Sequence, residues 1–370
     1  MLQLRTPKGD GEHSEPVGLK SEARDSSPSF AVLLRDPQIE MAHGAGGTAT
    51  RRLVEGLFAP LLLHSPSEPL ADAAHVAVNG TRIAVTTDSF VVSPLCFPGG
   101  SIGELAINGT INDLAVAGAR PEAIVVTFVL EAGLATKILE AEVRAMAEAA
   151  RRAGVQIVGG DTKVVEHGKA DQMYVTTTGI GSPLPGVTID PRLVQVGDKV
   201  LLSGCMGDHG ITILLARGEL DIQADLRSDT RSVFPLVDAM VRAAGPGIRW
   251  MRDPTRGGVA TSLNELARDC SLGIHLFEPA LPVRDAVRGA CELLGLDPLH
   301  IANEGQFLAV VASKYAERAL NALHQTPGGE EARVIGEIHE QPAAAVLVTT
   351  PYGGSRVVDM LVGDPLPRIC

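Results

Sequence analysis

Ala123-Ile124-Val125-Val126-Thr127-Phe128-Val129-Leu130 is the longest clear apolar run in the chain. Its β-branched residues fit a buried strand, and the run is far too short to span a bilayer. The Ala- and Glu-rich stretch 136–153 that follows reads as a helix, and Val155-Gln156-Ile157-Val158 as another short strand. Upstream, Val76-Ala77-Val78 and Ile83-Ala84-Val85 flank Asn79-Gly80. Asn-Gly fits a two-residue hairpin turn, where both residues need positive φ. A helix is expected over 48–58 and another from Ser101, where Ser101 and Glu104 can form a capping box. A further strand is expected over 173–178.

Pro183, Pro185, Gly186 and Pro191 form a breaker cluster that marks a domain boundary. Beyond it, strands are expected over 199–202, 307–311, 334–338 and 345–348. Helices are expected over 209–217, 232–243, 259–270, 283–294 and 315–324, with Pro282 in the first turn of the fourth. The reading is two mixed α/β domains, 39–185 and 186–362. A polar, disordered extension over 1–38 precedes them, and a flexible tail over 363–370 follows.

The chain has 370 residues, enough for two domains. Apolar residues are 45% and aromatics 3%, so the cores must be aliphatic. A net charge of −12 argues against nucleic-acid binding by bulk charge. Lys8, Asp10, Glu12 and Glu15 interrupt any signal-peptide core, so a soluble cytoplasmic protein is expected, with no membrane partner. The five cysteines contain no C-x-x-C pair, which disfavours a thiolate zinc site.

Four acidic motifs sit beside glycines or near strands: Thr87-Asp88-Ser89, Asn108 to Asp113, Gly159-Gly160-Asp161-Thr162-Lys163, and Gly207-Asp208-His209-Gly210. Each aspartate alone is explained by a turn or a helix cap. Together, beside Lys163, they point to phosphate chemistry, because hard oxygen ligands suit Mg²⁺ and Mg²⁺ suits a triphosphate. Asp253-Pro254-Thr255-Arg256-Gly257-Gly258 turns into a helix and offers Arg256 to a phosphate, or is an ordinary strand–helix turn. Asn303-Glu304-Gly305 precedes a buried strand, where a glutamate can act as a base. Gly99-Gly100-Ser101-Ile102-Gly103 matches a nucleophile elbow, but helix capping through Glu104 explains the serine, and downstream Asp and His residues are too common to identify a triad. His43 to Ala49 lacks the preceding strand of a dinucleotide site. The last residues, Gly363 to Cys370, carry two prolines, and Cys370 reads as an exposed thiol on an extended arm.

At these residues the sequence resembles the HypE family of hydrogenase maturation factors. That family lies within the ATP-using superfamily of aminoimidazole ribotide synthetase, selenophosphate synthetase and thiamin-phosphate kinase. The resemblance runs from about Met41 to Cys370 and includes Ala42 to Gly47, Pro98-Gly99-Gly100, Asn112-Asp113 and Gly160 to Val165. The ending Pro367-Arg368-Ile369-Cys370 is its most specific part. The resemblance implies an aminoimidazole-ribotide-synthetase-like fold, with an N-terminal sheet pairing in a homodimer and a C-terminal α+β domain.

The activity it implies is ATP-dependent dehydration of a carbamoyl group on the Cys370 thiol, from thiocarboxamide to thiocyanate. The product would supply cyanide to the iron of nickel–iron hydrogenase. The implied partners are a HypF-type carbamoyltransferase and a HypC–HypD scaffold. Asp88, Asp113 and Asp161 are expected to hold Mg²⁺ and ATP, with Asn108, Asn112, Thr162, Asp208 and Arg256 supporting. Lys163 and Glu304 are expected beside Cys370, with either taking the nitrogen proton or polarising the oxygen. The alternatives are a kinase of a small phosphate ester, a docking protein whose thiol only carries a group, and a serine hydrolase at Ser101.

Overall fold

The computed structural model describes residues 34–63, 69–218, 224–361, 363, 366 and 368–370. The expected disordered extension lies outside these residues as far as position 33. An arm over 34–47 leads into α1 (Thr48–Leu53), a π-helical turn (Val54–Phe58) and α2 (Ala59–Leu62), where one helix was expected over 48–58. Strands β1 (Ala74–Val78) and β2 (Thr81–Phe90) form the expected hairpin, with φ of 49° at Asn79 and 81° at Gly80. A minimal hairpin follows, β3 (Cys96–Phe97) with β4 (Gly100–Ser101). Next come α3 (Ile102–Val116), β5 (Ala119–Glu131), α4 (Thr136–Ala153), β6 (Gln156–Val165) and β7 (Met173–Pro183). The sheet order is β1-β2-β7-β5-β6, antiparallel except between β5 and β6.

Helix α3 is apolar around nearly its whole circumference, and almost all of it is buried. A helix of that kind belongs in an interior. It packs on β2, β5 and β7 on one side, and on α4 and α6 on the other. The expected capping box does not form. Ser101 makes no cap bond, and Glu104 pairs with Arg152 instead. Glu142 of α4 accepts the Gly103 N–H at 2.9 Å in its place. A Cβ at Gly103 would lie 2.3 Å from the Glu142 carbonyl, so only glycine lets α4 approach this closely.

The second half runs β8 (Lys199–Leu202), α5 (Asp208–Ala216), α6 (Phe234–Ala244), β9 (Ile248–Arg252), α7 (Gly258–Cys270), β10 (Gly273–Phe277) and α8 (Asp285–Leu294). It ends with β11 (Leu308–Val311), α9 (Ser313–His324), β12 (Arg333–His339), β13 (Ala345–Thr349) and β14 (Ser355–Val358). Its sheet has the order β14-β13-β10-β12-β8-β11-β9, and only β10 and β13 run parallel. Every expected element is present within a few residues. Strands β9, β10 and β14 were not expected; in β9, Arg249 and Arg252 break the apolar pattern. Pro282 precedes Arg284, the N-cap of α8, rather than sitting in the first turn.

The two halves share core. Phe90, Ile102 and Ile107 pack in one cluster with Ile211, Val287, Ile301, Leu366 and Ile369. Strand β6 is the exception. It is an outer strand of its sheet, exposed along nearly its whole length, with Val158 58% and Val164 67% accessible. No helix of the described residues is long and apolar enough to cross a membrane.

Candidate active site

Four carboxylates meet in the cleft between the halves. Asp72 precedes β1, Asp88 lies in β2, Asp113 is on α3 and Asp253 follows β9. Carboxylate oxygens of Asp72, Asp113 and Asp253 lie within 4.8 Å of one another. Thr86 Oγ1 is 2.7 Å from the Asp72 carbonyl and 2.8 Å from Asp113 Oδ2. The hydroxyl has one hydrogen to share between these two acceptors, and its donation to Asp113 favours the ionised form of that carboxyl. Burial, reinforced by Asp253, Asp72 and Asp88, pushes the Asp113 carboxyl well above the usual range. Burial and Asp72 do the same to Asp253. Burial raises Asp72 to about 6 against the opposing charge of Arg252, whose Nε is 3.2 Å away. Asp88 is raised by burial and held back by Arg256. The cluster is short of positive charge, and its hard oxygen donors suit a divalent cation such as Mg²⁺.

Arg256 is the cation at the centre. Its charge is felt by Cys370, Asp88, Glu304 and Asp113. Its Nη1 donates to the Gly44 carbonyl at 2.9 Å. A Cβ at Gly46, which has φ of +80°, would lie 2.7 Å from Arg256 Cβ. The glycine-rich stretch at 44–47 is therefore a brace for Arg256.

Glu304 is buried, and its Oε1 makes no hydrogen bond. Burial, with Asp253, Asp88 and Asp229 nearby, pushes its carboxyl well above the usual range. Its main chain is held on both sides. The N–H donates to Asp229 Oδ1 at 3.0 Å, and the carbonyl accepts from Asn112 Nδ2 at 3.1 Å.

The tail does not stand free as the sequence suggested; its last residues are docked in the cleft. Leu366 and Ile369 are buried. Three consecutive main-chain oxygens are each met by a donor. Arg217 Nη2 reaches Arg368 O at 2.9 Å, His209 Nε2 reaches Ile369 O at 2.9 Å, and Val91 N–H reaches Cys370 O at 2.9 Å. Arg368 Nη1 pairs with Asp171 at 2.8 Å. Cys370 lines a cavity of about 390 Å³ together with Gly44, Ser89, Arg256 and Leu361. Burial pushes its thiol far up, Arg256 opposes the shift, and Glu304, Asp88 and Asp253 add to it.

The structure thus brings together Asp88, Asp113, Arg256, Glu304 and Cys370 of the expected residues. Asp161, Thr162 and Lys163 are elsewhere, on β6. Lys163 is 68% exposed and pairs with Asp161 at 2.8 Å, which lowers the Asp161 carboxyl below its usual range. Asp161, expected near a strand, lies within β6. Asn112 uses both ends of its amide between the halves: Nδ2 to Arg231 O and Glu304 O, and Oδ1 from Val233 N–H. Asn108 is buried and lines a groove with Glu104 and Arg152. Asp208 opens α5 and pairs with Arg284 at 2.8 Å.

Two acidic residues were not expected in the metal set, Asp72 and Asp253. Asp253 stood in a quoted motif, but only its arginine was weighed. Asp72 has no glycine beside it and gave no local signal. Ser101 Oγ is buried without a hydrogen bond, so no base activates it as a nucleophile.

Two family models match the chain: AIR synthase related protein, N-terminal domain, over residues 70–182, and its C-terminal domain over residues 195–349. The chain is 50% identical to the carbamoyl dehydratase HypE of Azotobacter vinelandii over 337 residues, covering 91% of this chain and 98% of that protein. It is 44% identical to the Escherichia coli K12 protein of the same name, covering 90% and 99%. A solved HypE–HypF complex matches with a TM-score of 0.79 at 42% identity, covering 84% of this chain and 99% of that one. A hydrogenase maturation protein HypE in complex with ATP matches with a TM-score of 0.75 at 44% identity, covering 90% and 100%. A docked tail, a buried aspartate cluster and these relatives agree: the chain belongs to the HypE family of AIR synthase related proteins.

Proposed function

We propose that this chain is an ATP-dependent carbamoyl dehydratase that converts a thiocarboxamide on Cys370 to a thiocyanate. The observation that carries the reading is the docked tail, which sets Cys370 among Arg256, Glu304 and the aspartate cluster. Asp72, Asp88, Asp113 and Asp253 would hold Mg²⁺, with Arg256 on the nucleotide phosphates. Bound Mg²⁺–ATP supplies a phosphoryl group to the carboxamide oxygen, which turns a poor leaving group into phosphate. The C–O bond then breaks, phosphate departs with the electron pair, and nitrogen gives up both protons as C≡N forms.

Glu304 is the base for those protons. Burial and the neighbouring carboxylates raise its pKa, which strengthens it as a base, and added positive charge nearby favours its ionised form. Arg256 offsets negative charge as it develops on the reacting oxygen. The raised pKa of docked Cys370 makes it a poor nucleophile. It therefore takes up its carbamoyl group from a HypF-type carbamoyltransferase while undocked. The cyanide product passes to an iron held on a HypC–HypD scaffold.

Lys163 joins the chemistry through a homodimer. Strand β6 is an exposed sheet edge with apolar residues beside Asp161 and Lys163. Such an edge is a pairing surface, and a second copy can bring its Asp161, Thr162 and Lys163 to the cleft. The reading is tested by the intact mass of the tail peptide after incubation with carbamoyltransferase, carbamoyl phosphate, Mg²⁺ and ATP. A carbamoyl adduct on Cys370 that loses one water only when ATP is present is the expected result. An adduct that never dehydrates, despite bound nucleotide, leaves only a carrier. ATP turnover indifferent to Cys370→Ala points to a small-molecule kinase.

A further inference from the structure

His209 is fully buried on α5, and both of its ring nitrogens are engaged. Nε2 is 2.9 Å from the Ile369 carbonyl, and Nδ1 is 2.7 Å from Ser228 Oγ. A carbonyl only accepts, so Nε2 carries the proton. Nδ1 is then a lone pair and accepts the Ser228 hydroxyl hydrogen. Ser228 Oγ in turn accepts the Thr230 N–H at 3.1 Å. The bonds all point one way, from Thr230 through Ser228 and His209 to the tail.

The relay is rigid at both ends. Phe97 meets the His209 ring edge-on, with centroids 5.6 Å apart. Ser228 N–H donates to Pro98 O at 2.9 Å, and a Cβ at Gly99 would lie 2.9 Å from the Ser228 backbone. The next residue, Asp229, accepts the Glu304 N–H. A Cβ at Gly305 would lie 1.8 Å from the Asp229 carbonyl. One short segment, 228–230, thus fixes the backbone of Glu304 and, through His209, the last peptide of the tail.

We propose that His209, held as its Nε2–H tautomer by Ser228, is a positioning residue that latches the tail and sets Cys370 in register with Glu304. This rests on the dehydratase reading above, but the latch itself is read without any turnover. The probe is iodoacetamide, followed by the mass of the peptide released by cleavage before Asp364. Losing one such hydrogen bond should speed alkylation of Cys370 roughly tenfold in His209→Ala. Ser228→Ala, which frees the tautomer, should give a smaller increase. His209→Gln keeps a donor and should stay near wild type.

In protein already loaded with carbamoyl, His209→Ala should slow single-turnover dehydration by a similar factor, while loading by the carbamoyltransferase does not slow. Unchanged alkylation in His209→Ala overturns the latch. So does an equal fall in loading and dehydration, which is general damage. If His209→Ala does not fold, Ser228→Ala carries the same test, and unchanged alkylation there overturns the proposal. Wild-type protein that loads but never dehydrates would refute the dehydratase reading, while the alkylation difference would still judge the latch.

Discussion

Two glycine- and aspartate-rich stretches of this chain have opposite surroundings. Asp253 to Gly258 is folded inward, with Asp253 buried among other carboxylates and Arg256 braced by the arm over 44–47. Gly159 to Lys163 lies on the outer strand β6, and its Asp161–Lys163 pair faces solvent. One chain therefore assembles the acidic part of the cleft and leaves a lysine of the same reading outside it. The difference separates what a single fold supplies from what, on the function proposed above, a second copy would add.

The largest expected effect lies on the buried side. Glu304→Gln should slow dehydration by about 10²–10⁴-fold, the usual worth of a positioned base. ATP binding should stay intact, as measured by calorimetry. Normal turnover in this variant would remove Glu304 from the chemistry.

The exposed side is tested by mixing. Lys163→Ala and Cys370→Ala should each be inactive alone. A co-refolded mixture should regain turnover, because a mixed dimer can pair an intact Lys163 from one copy with an intact Cys370 from the other. If the mixture stays inactive, Lys163 reaches the cleft of its own chain by movement of β6, and the comparison between the two stretches is one of conformations.

The smallest effect concerns stability. Burial holds His209 at about 4, below the 6.5 of a free imidazole. Above pH 6.5 it is neutral in the folded and unfolded chain alike, and its contribution is fully present. As pH falls from 6.5 towards 4, the unfolded chain gains a proton that the folded chain refuses, so stability is lost with acid. The loss is about 1.4 kcal/mol per pH unit, or about 3 kcal/mol over the window. Urea unfolding at pH 7 and 4.5 should show this slope in the wild type and a shallower one in His209→Gln. Equal slopes would mean that His209 titrates normally in the fold.

Much of this architecture was legible locally. The Asn79-Gly80 hairpin, helix α4 and strand β8 follow from turn chemistry and apolar period alone. Sheet order is not written locally. Asp88 and Asp161 share a similar motif, but β2 is an inner strand and β6 an outer one, and only the topology tells them apart. Asp72 was invisible because nothing near it signals a site. Long-range bonds place it: Arg252 reaches Leu70 O at 2.7 Å, and Thr86 reaches the Asp72 carbonyl. The Ser101 box failed because a partner distant in sequence, Glu142, took the Gly103 N–H. The two prolines that suggested an extended tail lie outside the described residues, Arg368 has a left-handed φ of 53°, and the groove that receives the tail is built from α5 and the segment after β2, which no spacing within the tail reveals.

The tail is gripped through main-chain oxygens of residues 368, 369 and 370, the Arg368 side chain and buried Leu366 and Ile369, not through the sulfur. A hold of that kind is blind to cargo. On the function proposed above, it would treat a bare thiol, a carboxamide and a thiocyanate alike, so the tail would carry no signal of its own that the reaction is finished. The timing of departure must come from the walls of the cleft, where charge changes as nucleotide and metal come and go, and the tail behaves as a passenger rather than a sensor.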